Sequence, residues 1–261
     1  MAQLAFAKGI INYHYFQQFP NQPTLIFLHD SLGCIQLWRD FPKLIGELTA
    51  FNVLIYDRFG YGKSSEFVQP ARENNYMELE ADFLFELIEK LQLNKCVLFG
   101  HSDGGSIALI AASKYPSKIA GIITEGAHVF VEEITLNGIK AVKEIYEKTN
   151  LKEKLEKYHA NKTQALFEAW TETWLNTRFF SWNIEHFLPQ IKCPVLILQG
   201  VGDEFGSETQ VQVIVKNCTN AKNESYLIPN AKHTPHKEAR DWTVENTVRF
   251  IKKIMETNPK R

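Results

Sequence analysis

A chain of 261 residues, 44% of them hydrophobic, with 29 Lys+Arg against 30 Asp+Glu and a formal net charge of -1, has a globular composition. At this length roughly 70–75% of the unfolded chain's surface can be buried, so a core needs neither disulfides nor a structural metal. The near-zero charge excludes a general attraction to phosphate backbones or anionic lipid, so neither nucleic acid nor a membrane is expected as a partner.

In chain order, Met1 to Ile11 lacks the basic start and long apolar stretch of a signal peptide, which leads us to expect a cytoplasmic protein. Ile10–Gln18 reads as one or two antiparallel edge strands. Short apolar bursts follow at Thr24–Leu28, Val53–Tyr56, Cys96–Phe99, Ile119–Thr124, Val195–Leu198 and Ser225–Ile228, unalternating as strands covered on both faces are. Amphipathic stretches at Leu37–Leu48, Tyr76–Leu91, Ser106–Tyr115, Glu208–Val215 and Trp242–Met255 separate them. This alternation predicts an α/β fold with a mostly parallel sheet.

The rhythm breaks once, between Ala127 and Leu188. Helix-forming runs such as Glu132–Lys148 and Lys152–His159 predict a helical insertion over 128–187, with 1–127 and 188–261 forming the core. Its Trp170 and Trp174 are expected either in an interhelical core or as an apolar wall over a ligand. The longest apolar runs, such as Ile107–Ala112, are far shorter than the ~20 residues that span a bilayer. Cys34, Cys96, Cys193 and Cys218 show no CxxC spacing and read as packing residues of a reduced compartment.

The most informative segment is Cys96-Val97-Leu98-Phe99-Gly100-His101-Ser102-Asp103-Gly104-Gly105-Ser106: an apolar strand, a sharp turn and a helix, with Gly two residues either side of Ser102. A nucleophile on a strained strand-to-helix turn needs small neighbours so that the turn closes and the hydroxyl stands exposed. A dinucleotide fingerprint fails on spacing. A phosphate loop ending at Gly62-Lys63-Ser64 fails too, because its first glycine would fall on Asp57.

With this elbow, the chain resembles the α/β-hydrolase superfamily, and the order of its other motifs matches. Thr24–Gly33 is similar to the superfamily's HGxxG oxyanion loop, departing at Asp30 where Gly is usual, and Asp57–Ser64 to its D-x-x-G-x-G-x-S turn. The elbow and the placement of the insertion look most like the small carboxylesterase and valacyclovir-hydrolase-like branch. The resemblance implies Ser102 as nucleophile, an acid after a late strand and a histidine after the last one. Asp203 is the expected acid, with Glu204 and Glu125 as alternatives. His233 is the expected base and His236 a support residue. The backbone N–H groups of Ser31 and Asp103 are the expected oxyanion donors, and the insertion a helical cap after the sixth strand. His29 reads as a scaffold residue of the loop or a substrate contact. The Asp103 carboxylate is either a helix-start acid or the partner of a cationic substrate group. His233 and His236 lack a third ligand at metal spacing, so no metal is expected, and no cofactor.

The expected activity is cleavage of a small carboxylic ester or related acyl compound through an acyl-enzyme. A thioesterase, a C–C hydrolase or a cofactor-free peroxidase stays open within the fold. A non-catalytic small-ligand receptor is the reading from another class.

Overall fold

The computed structural model describes residues 1–67 and 72–257. The chain runs through β1 (Ala2–Phe6), β2 (Gly9–Phe16), β3 (Thr24–Leu28), a 3₁₀ turn (Ile35–Trp38), α1 (Phe41–Thr49), β4 (Asn52–Tyr56), α2 (Tyr76–Lys90), β5 (Cys96–His101), α3 (Asp103–Lys114) and β6 (Ile119–Glu125). The helices α4 (Glu133–Lys148), α5 (Leu151–His159) and α6 (Thr163–Trp174) come next, with 3₁₀ turns reaching Gln190. The chain then returns through β7 (Val195–Gly200), α7 (Glu208–Asn217), β8 (Asn223–Ile228), α8 (Pro235–Glu238) and α9 (Arg240–Thr257).

The strands form one sheet in the order β1-β2-β4-β3-β5-β6-β7-β8. β1 and β2 are an antiparallel hairpin, β2 pairs antiparallel with β4, and every later pair is parallel. Successive side chains of a strand point to opposite faces. Leu25, Phe27, Val53, Ile55, Val97 and Phe99 therefore meet Phe41 and Ile45 of α1 and Phe250 and Ile251 of α9 on one face. Ile26, Leu28, Leu54 and Leu98 meet Met77 and Leu84 of α2, Ile107 of α3 and Ile214 of α7 on the other. Each such side chain contributes roughly 1.5–3 kcal/mol by leaving water. Burial on both faces is why these strands are apolar throughout.

Three boundaries differ from the sequence expectation, each for a physical reason. The N-terminal hairpin begins at Ala2, where partly covered residues pair with β2. The stretch Leu37–Leu48 is broken at Arg39, whose φ is 53°, and α1 restarts where Pro42, lacking an N–H, suits a first turn. Helix α3 starts at Asp103 rather than Ser106: Gly104 and Gly105 are poor helix formers, but tertiary packing overrides that propensity. Burial raises all four thiols to about 12, which suits inert packing residues. Among the described residues no helix is long and apolar enough to cross a membrane.

Candidate active site

Parallel strands end on one edge, and the loops leaving β3, β5, β7 and β8 bring Ser31, Ser102, Asp203 and His233 together there. Ser31, Ser102, Asp103 and His233 line a cavity of about 210 Å³. The helices between β6 and β7 close it with Thr135, Ile139 and Val142 of α4 and Trp170 and Trp174 of α6. A wider groove of about 600 Å³ lies at the opposite strand ends, around Lys95, Ile119 and Pro194, away from these side chains.

Ser102 sits between β5 and α3 with φ 54° and ψ -121°, a conformation costing about 1–3 kcal/mol for a residue with a Cβ. The turn closes because its neighbours are bare. A Cβ on Gly104 would lie 2.0 Å from the Leu28 carbonyl oxygen, and one on Gly100 would lie 2.2 Å from that of Gly104. The N–H of Ser102 donates to the Glu125 carbonyl at 2.8 Å, tying the elbow to β6. The N–H groups of Ser31 and Asp103 have no partner among the described residues. They are free for a ligand oxygen.

His233 meets Asp203 through Nδ1, 2.8 Å from Oδ1 and 3.0 Å from Oδ2. A carboxylate only accepts, so Nδ1 carries the proton and Nε2 is left as the basic nitrogen. Asp203 also accepts from the N–H groups of Phe205 (2.8 Å) and Gly206 (3.3 Å). Burial works against a charged imidazole, but the Asp203 carboxylate outweighs it and raises the His233 pKa above 6.5. Burial likewise pushes the Asp203 carboxyl up, and His233 more than reverses that, leaving its pKa lowered.

Glu125, fully buried, faces His236 instead: both its oxygens accept from that residue, one from the main-chain N–H and one from Nδ1. Glu204 lines the cavity. The donor atoms of His101, Glu125 and His236 all lie within 4.8 Å of one another, the spacing of a metal site. Glu125 and His236 already engage each other, however, and His101 Nε2 donates to the His233 carbonyl at 2.9 Å. Glu125 is thus tied to His236, and His101 to the loop that carries His233.

His29 lies outside the cavity around Ser102, contrary to the substrate-contact expectation. It is 1% exposed; its Nε2 accepts from the Arg58 N–H at 3.1 Å and its Nδ1 donates to the Asp30 carbonyl at 2.8 Å. Asp30 does not adopt positive φ, so the loop does without the usual glycine. Burial would raise the Asp30 carboxyl, but His101, Lys237 and two further histidines hold it at about 2.

The Asp103 carboxylate is 2% exposed and turned toward three groups absent from the sequence expectation. It accepts from the Tyr76 hydroxyl at 3.0 Å and lies 3.8 Å from Arg58 Nη1 and 3.7 Å from Arg72 Nη1. Trp174 Nε1 donates to the same Tyr76 oxygen at 3.2 Å, linking the insertion to the elbow. His128 is a further residue that sequence reasoning missed. Its Nε2 donates to the Phe205 carbonyl at 2.9 Å, and its ring centroid lies 6.0 Å from that of His233. Arg58 stood inside a recognised turn, and His101 beside the nucleophile. Arg72, Tyr76 and His128 carry no local signal.

A family model for the alpha/beta hydrolase fold matches residues 23–179. The human "Serine hydrolase BPHL" is 30% identical over 239 residues, covering 87% of this chain and 78% of that protein. The "2-hydroxy-6-oxononadienedioate/2-hydroxy-6-oxononatrienedioate hydrolase" of Escherichia coli is 26% identical over 212 residues, 70% of this chain and 71% of its own. Among solved structures, one from work on carboxylesterases of the thaumarchaeon Nitrososphaera gargenis superposes with a TM-score of 0.79 at 17% identity, covering 98% of this chain and 100% of the other. That last likeness concerns the fold.

Proposed function

The chain belongs to the α/β-hydrolase fold family, and from that premise we propose that it is a serine hydrolase acting on small carboxylic esters or related acyl compounds, with no cofactor. The observation that carries this reading is the 2.8 Å contact of His233 Nδ1 with Asp203 while His233 and Ser102 line one cavity. Ser102 Oγ attacks the acyl carbon as His233 Nε2 takes its proton, and the oxyanion meets the N–H groups of Ser31 and Asp103. His233 then returns the proton to the leaving alcohol, and water repeats the sequence to release the acid. Asp203 keeps the imidazole in the tautomer this requires.

We read the acyl group as uncharged. The Asp103 carboxylate already has two guanidiniums beside it, so a substrate ammonium has little unpaired charge to find. A second reading, C–C bond hydrolysis, is favoured by the likeness to the Escherichia coli hydrolase, whose name denotes a dicarboxylate substrate. Against it, the cavity wall presents Asp30, Glu204 and Glu238, and no Lys or Arg among the described residues. The test is incubation with an organophosphonate followed by a panel of p-nitrophenyl esters, thioesters and a 2-hydroxy-6-oxodienoate. One adduct at Ser102 with ester turnover supports the reading, a folded protein without adduct ends it, and turnover of the dienoate alone moves the chemistry to the carbon–carbon bond.

A further inference from the structure

Arg58 lies in the turn after β4, 1% exposed, and no step of the proposed reaction uses it. Its contacts converge on the two places from which an oxyanion would be bound. Nη2 donates to the carbonyls of Asp30 at 2.9 Å and His29 at 3.3 Å, and its main-chain N–H donates to His29 Nε2 at 3.1 Å. Nη1 lies 3.8 Å from the Asp103 carboxylate, which Tyr76 and Arg72 brace from other sides.

The first contact has a direct geometric consequence. In a trans peptide the C=O of one residue and the N–H of the next point in opposite directions. Asp30 and Ser31 share such a peptide, and no cis bond occurs among the described residues. The guanidinium shares the Asp30 oxygen with His29 Nδ1 at 2.8 Å and the Gly33 N–H at 3.2 Å, and together they turn the Ser31 N–H the other way, toward the cavity that Ser31 lines. The charge-assisted bond also polarises the peptide, which makes that N–H a stronger donor. The second contact is electrostatic and carries no hydrogen bond: it sets a positive charge beside the carboxylate of Asp103, the residue that carries the other free N–H.

We infer that Arg58 is a positioning residue for the oxyanion hole, a single buried cation that holds the Ser31 and Asp103 donors in register from behind. The inference rests on the serine-hydrolase reading and adds to it a residue that touches no substrate. Arginine suits the position because its planar fork donates to two carbonyls while its charge lies 3.8 Å from a carboxylate; lysine, a point charge, cannot do both. An oxyanion hole acts only on the tetrahedral state. Misaligned donors therefore cost turnover without weakening ground-state binding.

The experiment compares wild type, Arg58→Met and Arg58→Lys for kcat, KM, fraction of sites titrated by organophosphonate, and inhibition by a trifluoromethyl ketone. Ser102 Oγ adds to that ketone's carbonyl and places an oxyanion in the hole. Arg58→Met is expected to lower kcat per titrated site by on the order of 10²-fold with KM within about threefold, and to weaken the ketone by the same factor. Arg58→Lys should show the same pattern with a smaller loss, and it decides the matter if Arg58→Met does not fold. Per-site kcat and ketone affinity within about threefold of wild type in a folded variant, or losses that track only the untitrated fraction, would show a structural role and overturn the inference alone. A wild type with neither adduct nor ester turnover overturns the hydrolase reading and this inference with it.

Discussion

His233 on the loop after β8 and His236 in α8, three residues apart, each face a carboxylate from another part of the sheet, and their surroundings separate them. His233 and Asp203 meet at 2.8 Å with the imidazole side chain 13% exposed on the cavity wall. His236 and Glu125 meet as closely, but the His236 side chain is 3% exposed, with its ring centroid 4.7 Å from Trp38 and 5.4 Å from Phe41. In the first pair Nε2 has no hydrogen-bond partner among the described residues, as the proposed base requires. In the second the ring is packed away, and both carboxylate oxygens are taken up by bonds to one residue. A histidine beside an acid is thus not enough to make a base; its free nitrogen must face a nucleophile. The closed pair joins the strand that anchors the Ser102 N–H to the loop that carries His233.

The largest expected effect removes the open pair's purpose. Ser102→Ala and His233→Ala should each lower kcat by on the order of 10⁴–10⁶ with the fold intact by circular dichroism. A tenth of wild-type activity in either would break the assignment. Asp203→Asn should cost on the order of 10⁴ in kcat by favouring the wrong tautomer of His233. It should also move the pH profile. Only neutral His233 accepts a proton, so wild-type kcat/KM falls as pH drops through a pKa raised above 6.5 by Asp203. Without that carboxylate burial is opposed only by the weaker pull of Asp30 and Glu204, and the acid limb shifts to lower pH.

The closed pair should answer in stability instead. His236→Ala leaves a buried Glu125 with the main-chain N–H but without its side-chain partner, a change that costs up to about 3–5 kcal/mol, measurable by urea unfolding, while kcat per folded molecule changes by less than about tenfold. Burial would raise the Glu125 carboxyl, but His236 lowers it below 4.5, so the pair's contribution is present above that pH and is lost as pH falls through the lowered value. A large kcat effect at normal stability would exchange the roles of the two pairs. The smallest expected effect concerns Asp103. An amino-acid ester and its des-amino analogue should differ in kcat/KM by no more than about threefold, well under the ten- to hundredfold a charge-assisted contact supplies. A larger preference that collapses in Asp103→Asn would restore the carboxylate as a substrate partner.

Local sequence alone determined the alternation of apolar strands with amphipathic helices, and with it a sheet covered on both faces. It also located the elbow, because a strand, a bare turn and a helix around Ser102 are contiguous between Cys96 and Lys114. The expectation of Asp203 and His233 came from the family resemblance, which implies an acid after a late strand and a histidine after the last one. Which acid faces which histidine was decided by the tertiary structure. Glu125 and His236 are 111 residues apart, and only the parallel pairing of β6, β7 and β8 brings them together. The same holds for the surroundings of Asp103, whose carboxylate meets Arg58, Arg72 and Tyr76 only in the fold. Periodicity reports what a residue's neighbours in the chain make of it, whereas the balance of buried charge depends on neighbours in space. No local pattern encodes those.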